Sequence, residues 1–144
     1  MQMTMVIDVH NHVTAGRELS AFQGTLISNR GFHANRPSGV TKETVKRAKW
    51  QGHKHSELLE QVGTDMAFIS PRPYTMMHSE KPESIVHLYC KATNDAIAIA
   101  VKLEPNRFRG VGGLPQCAGV SPKNTLEELE RCVKELNFVG IMIN

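Results

Sequence analysis

Within Val6-Ile7-Asp8-Val9-His10-Asn11-His12, an apolar run meets two histidines one residue apart. Neutral imidazole is the commonest metal-ligating side chain, and two held by one rigid strand form a bidentate arm that needs only one or two further ligands. Successive side chains on a strand point to opposite faces, so Asp8, His10 and His12 are expected on one face, with Ile7, Val9 and Asn11 on the other. A divalent metal site at the C-terminal end of a strand is the chemistry this spacing points to. Asp8 is then better placed to orient a histidine than to complete the ligand shell. The alternative is a pair of ordinary strand or loop histidines; the acidic residue and the apolar run before them favour the metal.

A second candidate is Arg72, held between prolines in Ser70-Pro71-Arg72-Pro73-Tyr74. Prolines fix φ and stiffen a loop, and a guanidinium presented there suits a bidentate grip on a substrate carboxylate. Its plain alternative is an exposed loop arginine. Tyr74 can donate a hydrogen bond to the same substrate or simply pack. His53 and His55 repeat the His-x-His spacing but open a helical run beside Gln51, Gly52 and Lys54, where a solvated helix entry is the simpler reading. His33 sits in a loop bounded by Gly and Pro, whereas His78 and His87 lack metal-like spacing. Cys117 follows Gly112-Gly113-Leu114-Pro115-Gln116, with no base visibly paired to it, so nucleophilic catalysis has weak support. Neither G-x-x-x-x-G-K nor G-x-G-x-x-G occurs, which disfavours nucleotide binding.

The elements that must position these residues alternate. Four β-rich segments, residues 4–10, Asp65 to Ser70, Arg109 to Leu114 and Phe138 to Asn144, are separated by helical patterns. Residues 17–29 can form a first helix, and Gly31 to Gly39 read as a polar loop. Short helical stretches start at Thr41 and at Glu57-Leu58-Leu59, the latter ending near Gly63. Pro82 and Glu83 open the clearest helix, with Ile85, Leu88, Tyr89, Ala92, Ala96, Ile99, Ala100 and Leu103 as its expected core face and Pro105 as its stop. Asn124 or Thr125 starts another, in which Leu126, Leu129, Val133 and Leu136 are the expected buried stripe before Asn137. Cys90 and Cys132 fall on these helices as packing residues. Alternation of this kind implies parallel βαβ units. Either a small doubly wound sheet or the first half of a (β/α)8 barrel satisfies it, and in both the ligand site lies at the carboxyl ends of the strands. His10, His12, Ser70, Arg72, Tyr74, Gln116, Cys117 and Asn144 all fall at that rim.

Composition narrows the function classes. The 144 residues suit one domain with a real core, and a net charge of +3 from scattered basic residues argues against nucleic-acid binding. One Trp, two Tyr and five Phe are too few for stacking along a strand of nucleic acid. Three widely spaced cysteines read as reduced thiols, and no stretch approaches the ~20 apolar residues of a membrane span. The expectation is a cytoplasmic chain with no membrane partner.

Three stretches together resemble the amidohydrolase superfamily, in particular its 4-oxalomesaconate hydratase branch. They are Ile7-Asp8-Val9-His10-Asn11-His12, then Gly63-Thr64-Asp65-Met66 continuing through Ile69-Ser70-Pro71-Arg72-Pro73-Tyr74 to Met76-Met77, and Gly113-Leu114-Pro115-Gln116. The resemblance implies a metal-dependent-hydrolase-type TIM barrel, a (β/α)8 barrel of which residues 1–144 are the N-terminal half, about four β/α units. It implies a zinc ion on His10 and His12, Arg72 on a substrate carboxylate, and a catalytic base and further ligands beyond Asn144. The implied activity is addition of water to an unsaturated tricarboxylate of protocatechuate 4,5-cleavage, by a homo-oligomer at full length. Alternatives are a decarboxylase of the aminocarboxymuconate semialdehyde type, a hydrolase of a lactone or amide, and a non-enzymatic remnant.

Overall fold

The structure, a computed structural model, describes residues 4–13 and 55–144. The helices expected at 17–29 and from Thr41, and the loop between them, lie outside the described residues. Four strands, β1 (Ile7–Val13), β2 (Met66–Pro71), β3 (Phe108–Gly113) and β4 (Gly140–Met142), pair in the order β1-β2-β3-β4. Every pairing is parallel, so all four C-terminal ends lie at one rim. A doubly wound sheet reverses its strand order at a switch point, whereas a barrel keeps sequence order. The unbroken order makes this sheet an arc of a (β/α)8 barrel. β1 lies three residues later than expected, so both histidines fall within the strand, and His12 is paired with Ser70 of β2.

Helices cover the sheet. Residues 55–61 (α1) end in a Schellman-type cap, in which Gly63, at φ 74, donates to Glu60 and Thr64 donates to Leu59. The left-handed φ is the reason for glycine there. α2 (Glu83–Leu103) starts after Pro82, carries Glu83 in its first turn and Lys102 in its last, both favourable to the helix dipole. α3 (Leu126–Lys134) follows a 3-10 turn, Pro122–Thr125, whose Ser121 cap accepts a hydrogen bond from the Lys123 N–H. The core joins Leu59, Ala67, Ile69, Ile97, Ala98, Phe108, Cys132 and Phe138 from α1, β2, α2, β3, α3 and the segment after α3.

The buried faces of both long helices differ from the expected apolar stripes. α2 buries the expected Tyr89 and Ala96, but also Val86, Cys90, Thr93, Asn94, Ile97 and Ala98, and leaves Leu88 and Leu103 exposed. α3 buries Glu128 and Cys132, with Thr125 just before it, and exposes Leu126 and Val133. The cause is a shared polar network. Asn94 Nδ2 donates to Glu128 Oε1 at 2.7 Å, and Arg131 grips both Glu128 and Asp95. Polar groups paired this well can be buried at little cost, and they turn each helix away from the face its aliphatic residues mark.

Candidate metal centre

β1 is irregular where it carries the histidines. Asp8 pairs with Ala67 but Asn11 pairs with Ile69, so β1 fits one extra residue into this interval. Such a bulge breaks the alternation of faces. Strict alternation separates Asp8 from Asn11; the structure joins them, with the Asn11 side-chain amide donating to Asp8 Oδ2 at 2.8 Å. The other oxygen, Oδ1, accepts the backbone N–H of His10 at 3.0 Å. Asp8 therefore spans the bulge and reaches His10 through its main chain rather than its ring. Beyond the bulge alternation resumes, and the rings of His10 and His12 meet edge to face with centroids 4.8 Å apart.

His12 has a second support that sequence reading missed. Its register partner in β2 is Ser70, and Ser70 Oγ lies 2.9 Å from His12 Nδ1 and donates to the Asn11 carbonyl at 3.2 Å. Ser70 is only 8% exposed, so this contact is built into the sheet. The signal in the sequence was a small polar residue ending an apolar strand, legible only once the β1–β2 register is known.

The rest of the rim is set by local chemistry. Arg72 is exposed and extended (φ −73, ψ 127) at the start of the 3-10 turn Pro73–Met76. Tyr74 lies within that turn, its side chain outside the described residues. At the end of β3, Gln116 Oε1 accepts the Asn144 N–H at 2.9 Å while Nε2 donates to the Asn144 carbonyl at 3.1 Å, tying β4 to the rim. Gly112 and Gly113 are small for packing rather than phosphate binding: a Cβ on Gly112 would lie 2.7 Å from Cys132 Sγ, and one on Gly113 would meet Met76.

The remaining candidates separate from the rim chemistry. Burial, then the charge of Glu83, raises the Cys117 thiol above its ordinary value, the opposite of what a nucleophile needs. Burial lowers the His78 pKa, partly opposed by a backbone hydrogen bond with Leu114, and its Nε2 is buried without a partner among the described residues. His87 Nε2 meets Asn124 at 3.3 Å, and His55 stacks on Phe108 at 6.2 Å. His33 and His53 lie outside the described residues.

The donor set fits a divalent cation. Two imidazoles share one strand end, and the Ser70 hydroxyl lies against Nδ1 of His12. Among the described residues no group of three His, Cys, Asp or Glu gathers closely enough to hold a metal.

The family described as amidohydrolase matches residues 7–144. The chain belongs to the amidohydrolase family. A relative, the 2-keto-4-carboxy-3-hexenedioate hydratase of Sphingobium sp. (strain NBRC 103272 / SYK-6), is 31% identical over 99% of the chain and 42% of its own length. Among solved structures, the 4-oxalomesaconate hydratase of Rhodopseudomonas palustris superposes with a TM-score of 0.73 at 24% identity, over 95% of this chain and 40% of that one. The dihydroxybenzoic acid decarboxylase of Polaromonas sp. JS666, with bound manganese and an inhibitor, gives a TM-score of 0.65 at 25% identity, over 99% and 39%. The chain thus spans about two fifths of the length of these relatives, and its amidohydrolase-family relatives include both hydratases and decarboxylases. Among the described residues no helix is long and apolar enough to cross a membrane.

Proposed function

We propose that this chain supplies the first-strand metal arm and the carboxylate grip of a metal-dependent hydro-lyase that adds water to an unsaturated tricarboxylate. The observation that carries the reading is the facing pair His10 and His12, with His12 braced by Ser70, at the rim where strand-end loops converge. A divalent metal there, zinc or manganese, supplies Lewis-acid polarisation of a conjugated carbonyl or a bound water with its pKa lowered towards ~7. His10 and His12 would hold it. Arg72, stiffened by Pro71 and Pro73, would grip a substrate carboxylate through two parallel hydrogen bonds and so align the double bond with the water. The general base comes from outside the residues described. Tyr74 is proposed as a further hydrogen-bond donor to the substrate, and Asp8 as the brace of the bulge that aims His10.

The hydratase reading rests further on the Sphingobium relative, whose identity extends along 99% of the chain. A second reading, decarboxylation of an aromatic or ring-cleavage carboxylate, is favoured by the 25% identity and 99% coverage of the Polaromonas decarboxylase. Product analysis separates them. The chain, alone and fused to the remaining portion of the Sphingobium hydratase, is incubated with zinc or manganese and an unsaturated tricarboxylate. Gain of water without loss of carbon supports hydration; release of carbon dioxide overturns it in favour of the decarboxylase.

A further inference from the structure

Ser70 stands between two groups that make different demands on its single proton. A hydroxyl has one hydrogen to donate and lone pairs with which to accept. The Asn11 carbonyl, 3.2 Å away, can only accept, so it takes the hydroxyl proton. Ser70 Oγ then faces His12 Nδ1, at 2.9 Å, with a lone pair, and that contact is favourable only if Nδ1 carries hydrogen. A neutral imidazole protonated at Nδ1 has its free lone pair at Nε2. The opposite assignment, with the hydroxyl donating to Nδ1, sets oxygen lone pairs against the Asn11 carbonyl and places the ring proton on Nε2, where it blocks ligation.

We propose that Ser70 is a positioning residue that fixes His12 as its Nδ1–H tautomer and so presents Nε2 to a divalent cation at the rim. The inference rests on the metal-dependent reading of the site given above. It also explains why the two histidines are held differently. His12 is fixed through its ring by its own register partner, from a side chain that is almost fully buried. His10, which is exposed, is fixed through its backbone N–H by Asp8 and through its edge contact with the His12 ring. The bulge and the hydroxyl together make one rigid face from two otherwise mobile imidazoles.

The test reads the ring nitrogens of His12 by long-range nitrogen–proton correlation NMR on the metal-free protein under mildly alkaline conditions. The wild type is expected to show a protonated Nδ1 and a lone-pair Nε2. Ser70→Ala is expected to shift His12 to a mixture of tautomers with the far-ultraviolet circular dichroism unchanged, and Ser70→Thr, which keeps the hydroxyl, to restore the single form. Stepwise addition of zinc, followed at the same resonances, is expected to show binding about 10- to 100-fold weaker in Ser70→Ala than in the wild type. A protonated Nε2 in the wild type, a tautomer unchanged in Ser70→Ala, or equal zinc affinity in the two proteins overturns the assignment. Failure of the wild type to bind zinc at all contradicts the metal-dependent reading instead, and the two failures are distinguishable because the tautomer is read without metal.

Discussion

Asn94, in the middle of α2, clasps the backbone of Gly113: its Nδ2 donates to the Gly113 carbonyl at 3.0 Å and its Oδ1 accepts the Gly113 N–H at 2.9 Å. A side-chain amide here completes the hydrogen bonding of the last residue of β3, just where the strand enters the rim. Gln116 does the same for Asn144 after β4. Backbone groups freed at strand ends must find partners, and this chain meets that requirement with amide side chains whose geometry copies a peptide. Asn94→Ala would take this partner from the buried Gly113 N–H, at about 1–3 kcal/mol for an unsatisfied group, while the Gly113 carbonyl keeps the Cys90 thiol as a donor at 3.1 Å. Urea unfolding should therefore show a loss of about 1–3 kcal/mol, and a loss below the cost of one such group would contradict the clasp.

Packing at β3 gives a second prediction. A Cβ on Gly110 would run into the Phe138 ring, which is carried there after Asn137 adopts a left-handed φ of 53. Gly110→Ala should destabilise by about 1–3 kcal/mol through overpacking. Phe138→Leu in the same chain should recover part of that loss, and a double-mutant cycle measures the coupling. Strict additivity would show that the two sites do not touch.

Alkaline stability follows from the two buried thiols. Burial first, then the charge of Glu128, pushes Cys132 up to about 12 and raises Cys90 as well. An unfolded thiol ionises near ~8.5, so above that pH the unfolded chain loses protons that the folded chain retains. Stability is thus fully present below pH ~8.5 and falls as pH rises towards the folded values, by up to about 1.4 kcal/mol per thiol for each pH unit. Denaturant midpoints at pH 8 and pH 10 should drop more steeply in the wild type than in the Cys90→Ala/Cys132→Ala protein. Parallel slopes would show that these thiols do not set the dependence.

How much of this was legible in the sequence depends on the range of the interaction. The four strands were visible as short β-rich segments between helical patterns, and the His10–His12 pair because it lies within one strand. The buried faces of α2 and α3 were not. Asn94 and Glu128 are polar by type and are buried together with the help of Arg131, through pairs 34 and 36 positions apart, Asn94 with Glu128 and Asp95 with Arg131. The bulge in β1 was equally invisible, because it is defined by its register against β2, and Ser70 gained its role only through that register. Local pattern fixes which residues exist at a rim; long-range pairing fixes which of them touch.

Substrate recognition supplies a further prediction. A charge-assisted hydrogen bond contributes about 1.5–3 kcal/mol, so Arg72→Ala in an active protein should lower kcat/KM for a carboxylate substrate by about 10- to 100-fold. Arg72→Lys should recover only part of this, because an ammonium keeps the charge and loses the planar fork. Full activity in Arg72→Ala would remove Arg72 from the site.

The most direct test of the account is metal binding by the chain itself, measured by calorimetric addition of zinc to the metal-free wild type and to His10→Ala/His12→Ala. Two imidazoles leave half of a tetrahedral shell to water, so the wild type should bind one zinc weakly and the double variant should lose that binding. Undiminished zinc binding by the double variant would contradict the assignment of His10 and His12 as the metal arm.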